Sequence, residues 1–328
     1  MVMIGLPVGW VLGGVAFLLG LLLLLTVYLF IARAAEEKRA RRASAYLERH
    51  AAAWFRHLRG FEPAGNELAP QDRAEVSAVE EVFRSYLNNL AGEGMQNRIR
   101  EFSNRHLAGF YRKKLKSRNW SDRLNALYRI HDFGIDALAE DCRALARREV
   151  SQEERFQLLL IDLAFRPDGF VDRNIRLNGN ISEVENKELL FRMPEAVFDE
   201  AASRLDELEK DTQYALVDVL GMKQDLARLP FLEKLLGSTD QELRIRALRA
   251  VDALGIRTPD GILRRAVDSP VWQERFIAAR MIRRLPESEA LRYAEKLAGD
   301  ESWLVREELR GLGPALERRQ LEKEAALG

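Results

Sequence analysis

A short motif recurs from residue 120 onward, and its regular spacing restricts the fold more strongly than any other feature of the chain. It begins at Trp120 ("WSDRLNALYRIHDFG"), Trp272 ("WQERFIAARMIRRL") and Trp303 ("WLVREELRGLG"), and in each copy the tryptophan precedes an arginine by three residues. Two further copies begin with a glutamine, at Gln152 and Gln241. The arginines at the shared position are Arg123, Arg155, Arg244, Arg275 and Arg306. A motif that returns in phase indicates a chain built from repeated units.

The distances between these arginines give the size of the unit. Consecutive arginines lie 32, 31 and 31 residues apart, except across a gap of 89 residues between Arg155 and Arg244. We assign one further unit to this gap, with Lys210 at the arginine position, and an irregular insert at about 166–188. Each unit reads as a helix, a short turn and a second helix. Helical pairs of about this length bury their apolar faces only against their neighbours, so the sequence predicts an all-α fold of the α-solenoid type.

The stretch "DQELRIRALRAVDALG" at 240–255 resembles a HEAT repeat. It has the aspartate, the hydrophobic–arginine pair, the small residues inside the first helix and the closing Leu-Gly. The resemblance covers roughly 119–313 as degenerate units, and it departs from the pattern at Lys210 and in the insert. It implies a right-handed α-solenoid, a curved scaffold whose second helices line a concave partner-binding surface, and it implies no particular chemistry. We expect the repeated tryptophans and arginines to serve packing between repeats and a buried polar ladder.

The first 32 residues carry no charged side chain, and Leu6–Ala32 exceeds the roughly 20 apolar residues that cross a bilayer. Trp10 and Tyr28 lie 18 residues apart, about 27 Å on a helix, which matches aromatic residues at two membrane interfaces. We predict a transmembrane span at about 6–32. A cleaved signal peptide is the alternative; it lacks support from any basic residue before the apolar run, whereas the small residues around Arg33 fit a cleavage site.

A basic segment follows the predicted span and indicates its orientation. Residues 33–60 contain eight basic and three acidic side chains, whereas 61–328 contain 43 basic and 48 acidic ones. The positive-inside rule places the body in the cytoplasm and the N-terminus outside, in a single-pass protein of the inner or cell membrane. We expect 33–60 to be a helix that lies along the membrane or packs on the body. Its neighbours are a helical extension of the solenoid at 61–118 and a capping helix or tail at 314–328.

Three glycines recur every fourth residue near the N-terminus: Gly5, Gly9 and Gly13. In lipid, small residues at this spacing let two helix backbones approach closely. They predict a docking stripe for a transmembrane helix of a second copy or of another membrane protein. The alternative is that glycine is simply common in membrane helices.

The sequence offers little that resembles a reaction centre. Cys142 is the single cysteine, no glycine-rich phosphate loop follows a strand, and His131 next to Asp132 falls on a helix, where neighbouring side chains diverge. We therefore predict no catalytic residue, no cofactor and no metal site. We also expect no nucleic-acid binding, because the body has a net negative charge and phosphate contacts need the opposite sign.

These observations favour a membrane-anchored, non-enzymatic scaffold or adaptor that binds a protein partner through its helical repeats. The candidate partner surface consists of cations on the second helices: Arg143, Arg147, Arg148, Arg264, Arg265, Arg292 and Lys296. The layout resembles bacterial accessory subunits, for which a membrane glycosyltransferase is a reasonable partner. The alternative is a HEAT-type enzyme, similar to those that act on alkylated DNA bases or attach bilins to phycobiliproteins; the membrane anchor argues against both.

Overall fold

The structure is a computed structural model, and it describes residues 8–89, 92–174 and 181–327. These residues form helices and turns and contain no strand, which confirms the all-α prediction for them. The chain divides into two compact units, residues 1–149 (unit 1) and 150–328 (unit 2).

Unit 1 begins with one uninterrupted helix, α1 (Val8–Arg59), which contains both the predicted span and the predicted juxtamembrane segment. Between Gly20 and Gly60 its sequence has neither glycine nor proline, so nothing in the backbone breaks it. Gly60 has a φ of +81°, a conformation that favours glycine, and the helix ends there. Among the described residues, α1 is the one helix long and apolar enough to cross a membrane, and its apolar stretch is not buried.

The last third of α1 packs against the rest of unit 1, burying Tyr46, Trp54 and Leu58. The Trp54 ring makes edge contacts with Phe83 at 5.3 Å and Phe102 at 4.9 Å between centroids. The C-terminal part of α1 therefore packs on the rest of unit 1 from residue 46 onward. The other helices of this unit are α2 (Arg73–Asn89), α3 (Glu93–His106), α4 (Ala108–Leu115), α5 (Trp120–Asp132) and α6 (Ala139–Ala146).

Unit 2 consists of helix pairs that share one hydrophobic core, which runs from Phe156 to Leu309. The first helices of successive pairs pack on one another in chain order. This arrangement is consistent with a solenoid-like helical domain. The first helices are α7 (Gln152–Phe165), α9 (Glu183–Arg192), α11 (Lys210–Lys223), α13 (Gln241–Ala253), α15 (Trp272–Ile282) and α17 (Trp303–Glu308). The second helices are α8 (Phe170–Asn174), α10 (Glu195–Ser203), α12 (Leu229–Leu235), α14 (Asp260–Val267), α16 (Glu287–Leu297) and α18 (Gly313–Leu327).

The predicted insert at 166–188 contains the helix α8 and the start of a regular first helix. The described part of it includes Ser182, whose side chain accepts from the backbone N–H of Glu185 while the Glu185 carboxylate accepts from the backbone of Ser182. This capping box starts α9. The 89-residue gap therefore holds two helix pairs, α9–α10 and α11–α12, where the sequence analysis assigned one.

The placement of Lys210 at the arginine position was also wrong. Lys210 is the first residue of α11, as Gln241 is of α13, so the residue equivalent to Arg244 is Gln213. Gln213 donates to the carbonyl oxygen of Leu208, five residues earlier, at 2.9 Å. The first residues of α9 and α11 are 27 residues apart instead of 31. A search with a fixed repeat length of 31 therefore could not find both helix pairs.

Candidate functional site

The repeated arginines bind the turn that precedes their own helix. Arg244 donates to the carbonyl oxygens of Ser238 at 2.9 Å and Thr239 at 3.2 Å, and Arg275 donates to Ser269 at 2.9 Å. Arg123 and Arg306 donate to carbonyl oxygens five and six residues earlier in the same way. Backbone carbonyl oxygens in a turn lack the partners that a helix would supply, so these guanidinium groups satisfy them. Arg155 is half-buried at the equivalent position of α7.

A second set of contacts ties each first helix to the next one. Arg244 donates to Glu274 at 3.0 Å, and Arg275 donates to Asp300 at 2.9 Å. Lys210 donates to Asp240 at 2.8 Å. The ammonium group of Lys210, with the backbone N–H of Leu243 and the Tyr214 hydroxyl, lowers the pKa of Asp240 to about 2. These pairs bring the N-terminal turns of α11, α13, α15 and α17 side by side.

The same alignment continues to the earlier pairs of unit 2. Gln152 at the start of α7 donates to Glu185 in the first turn of α9 at 2.8 Å. Thr212 in the first turn of α11 donates to Asn186 of α9 at 3.5 Å, and both side chains are buried. The first turns of α7, α9, α11, α13, α15 and α17, with Asp300 and Glu301, therefore form one row, which we call the first-helix edge.

The three motif tryptophans are not buried between repeats as we predicted. Trp120, Trp272 and Trp303 have exposed fractions of 54%, 41% and 64%. Each is the first residue of its helix, in α5, α15 and α17. At this position the side chain lies outside the packed faces of the stack, while the arginine three residues on turns back to the preceding loop. The periodicity that places these residues in register cannot distinguish a buried from an exposed position at a helix start.

A charged cluster links three of the first helices along their length. Arg246 donates to Asp218 at 2.5 Å and Glu183 at 3.0 Å, and Lys187 lies 2.7 Å from each of these carboxylates. The Arg246 guanidinium also lies over the Tyr214 ring, 5.1 Å from its centroid. Opposite charges alternate in this cluster, and each cation contacts two helices, so the cluster stabilises the order α9–α11–α13.

Three of the four predicted cations on α14 and α16 form ion pairs within the described surface. Arg264 and Arg292 both contact Asp260, at 2.8 Å and 3.2 Å, and Lys296 contacts Asp268 at 2.7 Å. Arg265 donates to the backbone carbonyl of Gly261 at 3.2 Å. The pKa of Asp260 is lowered by the Tyr293 hydroxyl and by the neighbouring guanidinium groups. This surface is therefore close to neutral, and it offers a partner less positive charge than the sequence indicated.

The other predicted surface cations, Arg143, Arg147 and Arg148, belong to unit 1. Arg143 on α6 pairs with Glu140 of its own helix, and Arg147 and Arg148 are exposed just after that helix ends. In the glycine stripe, Gly5 lies outside the described residues, whereas Gly9 and Gly13 are in α1. A Cβ built at Gly13 would meet no neighbouring atom within 4 Å, so this side of α1 is open.

Two side chains of unit 1 carry groups of the kind that a reaction centre uses, the thiol of Cys142 and the carboxylate of Glu80. Cys142 is buried, and burial raises the pKa of its thiol to about 12. Within the described ranges no three histidine, cysteine or carboxylate side chains lie close enough to hold a metal ion. In unit 1 a pocket of about 320 Å³ contains Glu80, whose carboxylate accepts from Tyr111 at 2.6 Å and Arg129 at 3.1 Å. The sequence analysis did not predict this pocket, because its lining residues lie on three helices, α2, α4 and α5, and share no common spacing in the sequence.

A comparison with known protein families finds none that matches this chain, and a comparison with curated proteins finds no similar one.

Proposed function

We propose that this protein is a membrane-anchored, non-enzymatic scaffold of HEAT-like helical pairs that holds a protein partner close to the membrane. The observation that carries the proposal is the continuity of α1. One helix contains the exposed apolar stretch and also the residues Tyr46, Trp54 and Leu58, which are buried in unit 1. A rigid connection of this kind fixes the distance and direction of a protein body relative to a membrane, which a flexible linker cannot do.

The connection is reinforced on both sides of the buried residues. Arg42 of α1 contacts Asp72 at 3.0 Å, and the Tyr46 hydroxyl donates to the carbonyl oxygen of Leu68 at 2.6 Å. At the far end, Arg98 of α3 donates to the carbonyl oxygen of Leu58 at 3.1 Å. Ten residues separate Ala32 from Arg42, and on a helix they span about 15 Å. In the proposed arrangement the body begins about this far from the end of the span.

The orientation follows from the charges that flank the apolar stretch. The basic excess lies at 33–60 and none of it precedes the span, so the body is cytoplasmic and the N-terminus is outside. The solenoid is right-handed, as in the family that 240–255 resembles. The open side of α1 at Gly13 docks another transmembrane helix along the Gly9–Gly13 stripe, from a second copy or from a membrane-bound enzyme such as a glycosyltransferase.

Topology is tested by labelling single cysteines in intact cells with a membrane-impermeant maleimide. Met3→Cys is expected to react and Glu301→Cys is expected to react only after the cells are opened. Cys142 stays in place, because burial and a pKa of about 12 keep its thiol unreactive. Labelling of Glu301→Cys in intact cells, or release of the protein from membranes by alkaline carbonate, contradicts the proposal.

The scaffold role is tested by crosslinking in native membranes followed by mass spectrometry. The expected result is a membrane protein that crosslinks reproducibly to the chain. Ala40→Pro, in the exposed part of α1, breaks the helix and is expected to reduce that crosslink while the protein stays in the membrane. Ala40→Ser is the matched control and leaves the crosslink unchanged. A crosslink equally strong in both variants means that the rigid connection has no part in partner binding.

A further inference from the structure

We propose that the first-helix edge of unit 2 binds an arginine- and lysine-rich segment of a partner protein; this inference rests on the proposed scaffold function. The surface is distinct from the second-helix cations that the sequence pointed to. It combines exposed tryptophan rings with more carboxylates than basic groups, and both features attract lysine and arginine side chains.

The aromatic part of the edge consists of Trp272 and Trp303. They are the first residues of two adjacent helices, α15 and α17, whose N-terminal turns are joined by the contact between Arg275 and Asp300. Packed helices lie about 8–10 Å apart, so the two rings are one repeat apart on the same edge. Both are exposed, at 41% and 64%. Tryptophan is the side chain whose ring face attracts a lysine or arginine cation most strongly.

The charge of the edge has the complementary sign. Over the N-cap and first three residues of its six helices, Lys210 is the one basic side chain. The acidic side chains over the same positions are Glu153, Glu154, Glu183, Glu185, Glu209, Asp211, Asp240, Glu242 and Glu274. Carboxylates are favoured there because the N-terminal end of a helix carries partial positive charge. The repeated arginines and Lys210 neutralise only part of this set.

Several carboxylates along the edge are exposed and belong to none of the ion pairs described above. They are Glu153, Glu209, Asp211 and Glu301, and Glu301 lies two residues before Trp303. An incoming cation can therefore contact a carboxylate and an aromatic face together near α17. The same charges repel an anionic membrane surface, so the edge suits a basic protein segment and not a lipid headgroup.

The occupant we assign is a segment of a different protein. This chain has a basic segment of its own at 33–60, but residues 46–58 of it contribute buried side chains to unit 1. The charged residues before them, including Arg41 and Arg42, pair in part with Glu37 and Asp72. Binding of a second copy through this segment is therefore an outcome that the experiment separates from binding of a partner.

The experiment measures peptide binding to the full chain in nanodiscs of zwitterionic lipid by fluorescence anisotropy. The probe is a labelled twelve-residue peptide that alternates arginine and alanine, and the control peptide has glutamine in place of each arginine. We expect the arginine peptide alone to bind. Its binding is expected to weaken as the salt concentration rises from about 50 to about 300 mM, over which the Debye length falls from about 14 to about 6 Å. Equal binding of the two peptides, or no binding of either, overturns the inference.

Variants locate the binding surface. Trp272→Gln and Trp303→Gln are each expected to weaken binding about three-fold, the effect of losing one exposed cation–π contact. Glutamine is tolerated at this position, because α7 and α13 begin with Gln152 and Gln241. The matched control is Trp120→Gln, which is at the same repeat position but follows the basic residues at 112–118 and leaves binding unchanged.

The remaining outcomes are equally decisive. Glu301→Gln and Asp211→Gln are expected to weaken binding, and insensitivity to both tryptophan variants overturns the inference. If the chain instead self-associates and Trp303→Gln abolishes that association, the occupant is a second copy and the assignment to a partner is wrong. A crosslinked membrane partner without peptide binding leaves the scaffold proposal intact and removes only this one.

Discussion

Arg244 and Glu274, thirty residues apart in the chain, lie 3.0 Å from each other across the first turns of α13 and α15. The same guanidinium group satisfies two carbonyl oxygens of the preceding turn, at Ser238 and Thr239. The Arg244 side chain therefore contacts the turn before its own helix and the first helix of the next pair. Such a contact makes the stability of each helix pair depend on its neighbours, as expected for a repeat domain.

We expect Arg244→Ala to lower the free energy of unfolding by about 2–3 kcal/mol, because it leaves a half-buried carboxylate and two carbonyls without their donor. Arg244→Lys is expected to recover only part of this, since an ammonium group cannot reach all three acceptors in the planar geometry of arginine. Urea unfolding of the chain in detergent measures the effect. Arg249→Ala on the exposed face of the same helix is the control and changes stability by less than about 0.5 kcal/mol.

Asp252 is another position where a carboxylate joins successive helix pairs. Its side chain is 4% exposed and contacts Arg280 at 2.9 Å and Arg284 at 2.7 Å. We expect Asp252→Asn to cost about 1–3 kcal/mol, because the buried amide loses the charge that both guanidinium groups bind. Asp268→Asn, on a carboxylate about half exposed and paired with Lys296, is expected to cost less than 1 kcal/mol. Equal losses in the two variants would contradict the role of burial.

Trp54 is the residue on which the connection between α1 and unit 1 depends most. It is 1% exposed and packs against two phenylalanine rings, so Trp54→Ala is expected to cost about 3–5 kcal/mol. We expect the backbone amides of 46–58 to lose protection in hydrogen exchange, while unit 2 is unaffected. Phe55→Ala, one residue later and 47% exposed, is the control. Unchanged protection in Trp54→Ala would mean that α1 is held by other contacts.

The stability of unit 1 should fall as the solution becomes acidic. Burial lowers the pKa of His57, and burial also lowers that of His106. The Nδ1 of His57 lies 3.3 Å from the carbonyl oxygen of Glu62, and no hydrogen-bond partner for its Nε2 is found among the described residues. In the unfolded chain both histidines are protonated below about pH 6.5, whereas in the folded chain they take up protons only at lower pH. The free energy of unfolding present at pH 7.5 therefore decreases as the pH falls below about 6.5.

Urea unfolding between pH 7.5 and 5.5 checks this dependence. Each histidine contributes a slope of at most about 1.4 kcal/mol per pH unit. We expect His57→Gln to flatten the dependence, and His57→Gln combined with His106→Gln to remove most of it above pH 5.5. An unchanged slope in the double variant would show that other groups produce it.

The sequence predicted only some of the residues of the candidate surfaces. The arginines could be found because they recur with the helical repeat, and the structure places four of them on turn carbonyls. The carboxylates that join successive repeats could not, because Asp240, Glu274 and Asp300 occupy different offsets from the arginine of their own repeat. Arg264, Arg292 and Lys296 appeared free in the sequence, yet Asp260 and Asp268 pair with them once the helices are in place.

Sequence alone determined that the chain is helical, where most first helices begin and that α1 carries a membrane-length apolar stretch, because periodicity and composition are local properties. Tertiary structure decided that the 89-residue gap holds two helix pairs, that Trp272 and Trp303 remain exposed and that Trp54 is buried. These outcomes depend on which helices meet and at what angle. Residues far apart in the chain set that geometry, and no single helix encodes it in its own pattern.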